Sequence, residues 1–387
     1  MRLRRPLTLS IDDHNLACQQ LNENLTSVQK WADQWLVNFN PQKTKLMNVS
    51  LKKNPPFDQY PIFFNNVQLG HENMQKHLGL TFNDKLTWTN HIDNIIKGVG
   101  KMGDVLTKLK YSLNRSTLET IYFSFVRPKL EYASLIWDNC SELNKIRLEN
   151  VQLKFARIVT GAKRGTSHAL LYAETAWATL AERRKISKLK FMFKIVKGLA
   201  PNYLSDILPS RVGDDMQYVL RNDFHLRAFS ARTERFKRSI LADCVRIWND
   251  LPKCIQNIET LAEFKTSISI EHKVNPLYCG INRKLGIIQS QFRMVCSNLN
   301  AHLYNLHVVD NPFCLCSNTI VEDCKHFFFE CPLYNIQRVK LIDNVMKLTN
   351  VSLEVLLYGD EDISFKDNKE IFAHVEKYIE ESERFAL

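Results

Sequence analysis

Glycine and proline are sparse, at 12 of each in 387 residues, and this excludes collagen-like and low-complexity classes. No apolar run approaches the roughly 20 residues of a membrane-spanning helix. The first residues, Met1-Arg-Leu-Arg-Arg-Pro6, are basic. However, Asp12 and Asp13 arrive before an apolar segment can form, so they do not read as a secretory signal. No Gly-x4-Gly-Lys-Ser/Thr loop is present, and no Gly-x-Gly-x-x-Gly follows a strand. A Gly-x-Ser-x-Gly nucleophile elbow is also missing. The ten cysteines lack a secretory context. They are expected to be mostly free and buried in an intracellular protein of the nucleus or cytoplasm, not paired in a disulfide scaffold.

Charge is present and unevenly placed. Residues 101–200 carry 19 Lys/Arg against 8 Asp/Glu, whereas residues 301–387 carry 8 against 15. A basic middle block of that size suits a phosphate-rich partner. Solvated helix faces would give the same count.

Apolar spacing predicts a helix-dominated α+β protein. A helix is expected over 16–37, ending before Asn40-Pro41. Short strands are expected at Lys43–Val49, Ile62–Phe64, Val67–Leu69 and His77–Phe82, so that all sheet lies within 43–82. Ile92, Ile95, Ile96, Val99, Met102, Leu106 and Leu109 then form a helical stripe. Ser116 and Glu119 have capping-box spacing, and Pro128 is placed to kink or end the helix that follows. Two further stripes, Leu148–Val159 and Ile186–Val196, stop at Gly161 and Gly198. Residues 205–235 read as an irregular connection, 240–270 as short helices around Trp248 and Phe264, and 340–385 as acidic helices.

Cys314-Leu-Cys316, nine residues, His326, four residues and Cys331 offer three thiolates and an imidazole, a donor set suited to tetrahedral zinc. Cys324 competes as a ligand, and the Cys-x-Cys knuckle is shorter than the common spacing. Buried cysteines around the Phe327-Phe328-Phe329 core are the alternative. Paired carboxylates for two-metal catalysis would have to come from Asp12-Asp13, Asp214-Asp215 or Asp360-Glu361-Asp362. None is framed by apolar strands, so turns and caps are the better reading of each. His77, His91 and His168 show no metal spacing.

Several blocks resemble one family in order. Trp31-Ala-Asp-Gln-Trp35 through Asn40-Pro41-Gln-Lys43-Thr44-Lys45 is similar to the segment after the catalytic loop of non-LTR retrotransposon reverse transcriptases, the jockey-like and related elements. Lys76-His77-Leu78-Gly79-Leu80 with Trp88-Thr-Asn-His91-Ile92 resembles their palm–thumb junction. Arg127-Pro128-Lys-Leu130-Glu131-Tyr132-Ala133 with Trp137-Asp138 resembles their thumb. Ala156–Ala162, Leu170-Leu171-Tyr172, Leu180–Arg184, Leu199-Ala-Pro201 and Arg246–Pro252 resemble the helical region beyond it, and Cys314–Cys331 resembles their cysteine–histidine motif.

The resemblance implies a partial palm over 1–88 and a helical thumb over 89–175. A helical connection over 176–275 and a zinc-knuckle-like subdomain with an acidic tail over 276–387 would follow. It implies an RNA-directed DNA polymerase that uses magnesium when intact. The family's Asp-Asp loop is not found here, since Leu3–Ser10 stands in its place without an acid. No catalytic residue, no magnesium and no polymerase activity are therefore expected in this truncated piece of a transposable element.

Non-specific binding to the backbone of RNA or an RNA/DNA hybrid is expected to remain. It would run through Lys43, Lys45, Arg183, Arg184, Lys185, Lys188 and Lys194, without membrane contact. A structural zinc would sit on Cys314, Cys316, His326 and Cys331. The second reading is a structural or protein-interaction protein with a zinc-stapled C-terminal subdomain.

Overall fold

A computed structural model describes residues 13–49, 61–215, 224–270, 274–279 and 282–385. The expectations for Leu3–Ser10 and for Asp12 lie outside these residues. Helices dominate, and the only sheets among the described residues are two small antiparallel hairpins. The chain divides into two compact units, residues 1–95 with 140–144, and residues 96–139 with 145–387.

In the first unit, α1 (His14–Gln34) starts at Asp13, whose side chain accepts from the backbone N–H groups of Asn15 and Leu16. Its buried side packs Leu25, with Leu21 and Val28, on Ile62, Phe64 and Leu69. β1 (Phe63–Phe64) pairs with β2 (Val67–Gln68) through Asn65 and Asn66, at φ of 54° and 58°. That is the conformation a two-residue type I′ turn demands, and asparagine tolerates it. Asn22 on α1 accepts from Phe63 N at 2.9 Å and holds the hairpin against the helix.

β3 (Met74–His77) pairs with β4 (Leu80–Asn83) in the same way, the turn being Leu78 and Gly79 at φ of 45° and 84°. The structure departs from two sequence expectations in this unit. His77–Phe82 is not one strand but a hairpin turn with a strand on each side. Lys43–Val49 is not a strand either. Pro41–Lys43 is a 3-10 turn capped by Asn40, and the pairing that follows is a single bridge between Leu46 and His71. α2 (Thr89–Leu109) begins in this unit, where the His91 imidazole is buried and its Nδ1 accepts from Thr81 N at 3.4 Å.

In the second unit, α3 (Arg115–Ile121) is capped by Asn114, whose side chain accepts from Thr117 N at 2.8 Å. The expected capping box at Ser116 and Glu119 does not form. The cap falls two residues earlier, at Asn114, and Glu119 turns inward to Arg115. A π-helical turn over Tyr122–Val126 leads into α4 (Arg127–Glu131), with Pro128 in its first turn, where the missing N–H costs no bond. α5 (Ser134–Trp137), α6 (Glu142–Thr160, whose first three residues belong to the first unit), α7 (His168–Thr175) and α8 (Leu180–Val196) follow. The last is opened by a Thr179–Glu182 capping box.

Gly161 and Gly198 end α6 and α8 at φ of 74° and 67°, as their positions after the apolar stripes imply. α9 (Asn202–Ser205), α10 (Glu234–Lys237), α11 (Ile240–Asn249), α12 (Lys253–Gln256) and α13 (Leu261–Ser267) are short. Trp248 and Phe264 from this group pack with Leu189, Met192 and Phe193 of α8. α14 (Arg283–Arg293), α15 (Asn300–Asn305), α16 (Asn335–Met346), α17 (Leu353–Tyr358) and α18 (Phe365–Glu381) surround a second core. Phe292, Phe327, Phe328, Ile371, Val375 and Tyr378 are buried there.

Candidate functional site

Two backbone devices bring Cys314, Cys316, His326 and Cys331 together. The first is a knuckle. Phe313 bridges Val321, Cys314 N donates to Ile320 O at 2.8 Å, and Ser317 N returns to Cys314 O at 3.1 Å, turning both sulfurs to one side. The second is a π-helical turn over His326–Glu330, closed by Cys331 N donating to His326 O at 2.8 Å. Apolar packing fixes this turn. Phe327 and Phe328 are buried, their rings lie 5.7 Å and 5.3 Å from Phe292, and Tyr378 donates its hydroxyl to Phe327 O at 2.5 Å. Arg338 donates to Cys331 O at 2.6 Å.

The four donor atoms all lie within 4.8 Å of one another, the only such group of metal-ligating side chains among the described residues. Cys314 Sγ is 3.6 Å from Cys331 Sγ, and Cys316 Sγ is 3.3 Å from His326 Nε2. A tetrahedral zinc with bonds of about 2.3 Å to sulfur and about 2.0 Å to nitrogen has ligand–ligand edges of roughly 3.5–3.8 Å, so the donor set fits the ion. Cys314, His326 and Cys331 are buried and Cys316 is half-buried. Burial, with Cys314 alongside, pushes the Cys331 thiol up to about 12. Cys324 stands outside the group. It packs on the same aromatic core, and burial likewise lifts its thiol to about 12.

The cations selected from the sequence divide into two sets. Arg184 and Lys188 are buried and both pair with Asp138, while Lys188 also reaches Asp243 at 2.7 Å. Burial alone would lower the Lys188 pKa. The two carboxylates more than offset it, and the amine titrates above its usual range. Arg183 pairs with Glu131. These three side chains tie α8 to its neighbours, and a phosphate could reach them only by displacing a carboxylate. Lys185 and Lys194 are exposed on the same helix, as is Lys43 on its own turn. Lys45 pairs with Glu72 at 3.1 Å on the surface.

The acidic doublets are structural where they are described. Asp13 caps α1. Asp214 accepts from Arg211 N at 2.7 Å, and the Asp215 side chain lies outside the described residues. Asp360 closes a turn, accepting from Thr349 Oγ1 at 2.5 Å and from Asp362 N at 3.0 Å.

Sequence reasoning missed two groups. Glu330 lies beside His326, and its spacing of four residues is the only signal that pointed to it. Glu174 is enclosed by Arg115, Arg293 and Ser290, with Arg293 also stacked over the Tyr278 ring at 3.7 Å. Burial raises the Glu174 pKa, but the Arg293 and Arg115 guanidiniums outweigh it and hold the carboxyl below its usual range. No helix among the described residues is long and apolar enough to cross a membrane.

Similarity to known proteins covers part of the chain. Over 154 residues it is 25% identical to a probable RNA-directed DNA polymerase from transposon X-element of Drosophila melanogaster. Over 152 residues it is 28% identical to a probable RNA-directed DNA polymerase from transposon BS of the same organism. The RNA-directed DNA polymerase from mobile element jockey, also of Drosophila melanogaster, is 31% identical over 152 residues. These matches cover 38–39% of this chain but only 16–17% of each relative. No protein-family model matches the chain, and no solved structure matches it significantly.

Proposed function

Starting from a region, about two-fifths of the chain, that is similar to the RNA-directed DNA polymerases of jockey-like non-LTR retrotransposons, we propose that this chain is a non-catalytic part of such an enzyme that binds nucleic acid. In this reading residues 1–88 are the palm remnant, 89–175 the thumb, 176–275 a helical connection and 276–387 a zinc-stapled subdomain. The observation that carries it is the conjunction of that similarity with the converged Cys314, Cys316, His326 and Cys331 donors.

These four residues would hold the zinc. When bound, the ion supplies cross-linking of the knuckle to the π-helical turn and no hydrolysis, since four protein ligands leave no open position for water. Polymerase chemistry needs carboxylates from adjacent strands to hold two divalent ions. Both hairpins lack such a pair, so we assign no nucleotidyl transfer to this chain.

The test is primer extension on an RNA template with magnesium or manganese, run beside a salt titration of nucleic-acid binding on the same preparation. The reading expects no extension and an affinity that falls steeply with salt. Extension abolished by Asp12→Ala with Asp13→Ala would overturn it. One observation favours the second reading, a protein-interaction role: Arg183, Arg184 and Lys188 serve internal ion pairs. Absence of salt-sensitive binding would select that reading.

A further inference from the structure

The basic character that α8 turns inward is displayed on the surface elsewhere. Between 224 and 238, Arg227, Arg232, Arg235, Lys237 and Arg238 are all exposed, and one acid, Glu234, accompanies them. Phe236, flanked in the sequence by Arg235 and Lys237, has 45% of its surface exposed.

The segment is anchored. Leu226 is buried and bridges Arg211, and the Asn249 side chain of α11 holds both its backbone groups, at 3.0 Å and 2.8 Å. Phe229 packs against the core of α8, α11 and α13, and meets the Phe236 ring edge-on at 6.1 Å. Thr233 caps the short helix that carries Phe236. Glu234 lies 3.2 Å from Arg238 and 3.8 Å from Lys237, but at such exposure these pairs are weak and exchange readily with a phosphate.

We propose that this face is a docking surface for single-stranded nucleic acid, with Arg227, Arg232, Arg235, Lys237 and Arg238 facing phosphates and an unstacked base resting on Phe236. An acidic peptide would satisfy the cations but has no use for a flat exposed ring between them. A duplex keeps its bases stacked on one another and leaves the ring unused. The inference rests on the nucleic-acid-binding reading above and places that binding away from α8.

The experiment is fluorescence anisotropy of the full chain with a labelled oligothymidine, an RNA of equal length and a duplex, each titrated with salt. Exchanging Arg232, Arg235 and Lys237 for Gln should weaken single-strand binding at least tenfold. It should also lower the slope of log affinity against log salt by about 2, at roughly 0.7 for each phosphate that the variant no longer neutralises. Arg232→Lys with Arg235→Lys should retain most affinity, which a merely structural role for the guanidiniums would not allow.

Phe236→Ala should cost the single strand about 5- to 100-fold and the duplex much less. Unchanged affinity in the triple variant, or equal losses for strand and duplex at Phe236, would overturn this surface while leaving the general reading intact. A wild-type chain that binds none of the three probes overturns the general reading itself.

Discussion

The Nδ1 atom of His326 lies 3.7 Å from a carboxylate oxygen of Glu330, in a ring that is buried and whose Nδ1 makes no hydrogen bond. The other ring nitrogen, Nε2, faces Cys316 Sγ at 3.3 Å. A carboxylate that takes the Nδ1–H fixes the tautomer and leaves the Nε2 lone pair directed at the donor cluster. Glu330 is half-exposed and can close the remaining gap by a small rotation, and Lys325 at 3.1 Å offsets its charge. Glu330→Gln is therefore expected to weaken zinc binding about 10- to 100-fold, measured by competition with a chromophoric chelator. An unchanged affinity would assign Glu330 to the Lys325 pair alone.

The position of Cys324 outside the four-donor group separates two cysteine variants. If the four donors hold a structural zinc, Cys331→Ser should lower zinc content from one equivalent and reduce thermal stability, because a structural zinc site couples metal binding to folding. Cys324→Ser should keep one equivalent. Zinc analysis of the two purified proteins decides the assignment, and equal content in both rejects it. Chelation of the wild type should loosen the aromatic core around Phe327 and Phe328, read as a loss of near-ultraviolet circular dichroism.

Glu174 predicts a large stability effect far from any cysteine. Its carboxylate accepts from Arg293 at 2.8 Å, from Arg115 at 2.7 Å and from the Ser290 hydroxyl at 2.9 Å, joining α3, α7 and α14. Removing the charge takes the carboxylate from the buried Arg293 guanidinium and leaves Arg115 with Glu119 alone. Glu174→Gln should cost about 3–5 kcal/mol, the usual penalty for breaking a buried ion pair, and urea denaturation would show it as a lower midpoint. Loss of less than about 1 kcal/mol would mean that the guanidiniums find water on their own.

The parts of this architecture that were legible in the sequence are those set by local rules. Helical stripes with Gly161 and Gly198 after them marked the ends of α6 and α8, because the last turn needs a left-handed residue that glycine adopts without strain. The Cys/His spacing was legible for the same reason, as four ligands within 18 residues. Partnerships between distant residues were not. Nothing local distinguishes Lys188, which meets Asp138 and Asp243, from Lys185, which points to solvent three residues earlier on the same helix. The Leu78-Gly79 turn was concealed because leucine rarely adopts positive φ, so His77–Phe82 read as one apolar strand.

Gly161 offers a test of that local logic. A Cβ built there falls 2.6 Å from Ile287 Cγ1, and the backbone φ is +74°. Gly161→Ala thus meets strain and overlap together, with a cost of about 1–3 kcal/mol. Adding Ile287→Ala should recover the overlap and not the strain, so a double-mutant cycle must show positive coupling between the two positions. Simple additivity in the cycle would leave backbone strain as the whole effect.

Glu376 on α18 supplies the pH dependence. It is half-buried, and burial first, then the Glu380 carboxylate one turn further on, pushes its pKa up to about 7 from an ordinary value of 4.5. The folded chain therefore holds this proton more tightly than the unfolded chain does. The stability that follows is fully present below about pH 4.5 and is lost as the pH rises through 7, where the folded protein must ionise a half-buried group beside a like charge. Glu376→Gln mimics the protonated side chain and cannot ionise. The variant and the wild type should have similar denaturation midpoints at pH 4, and the variant should be the more stable at pH 8. Titrating groups that do not touch Glu376, the Cys314–Cys331 cluster among them, are common to both proteins and cancel in the difference. A difference that is flat with pH, or that favours the wild type at pH 8, would show that Glu376 reaches solvent freely and that its ionisation is no burden on the fold.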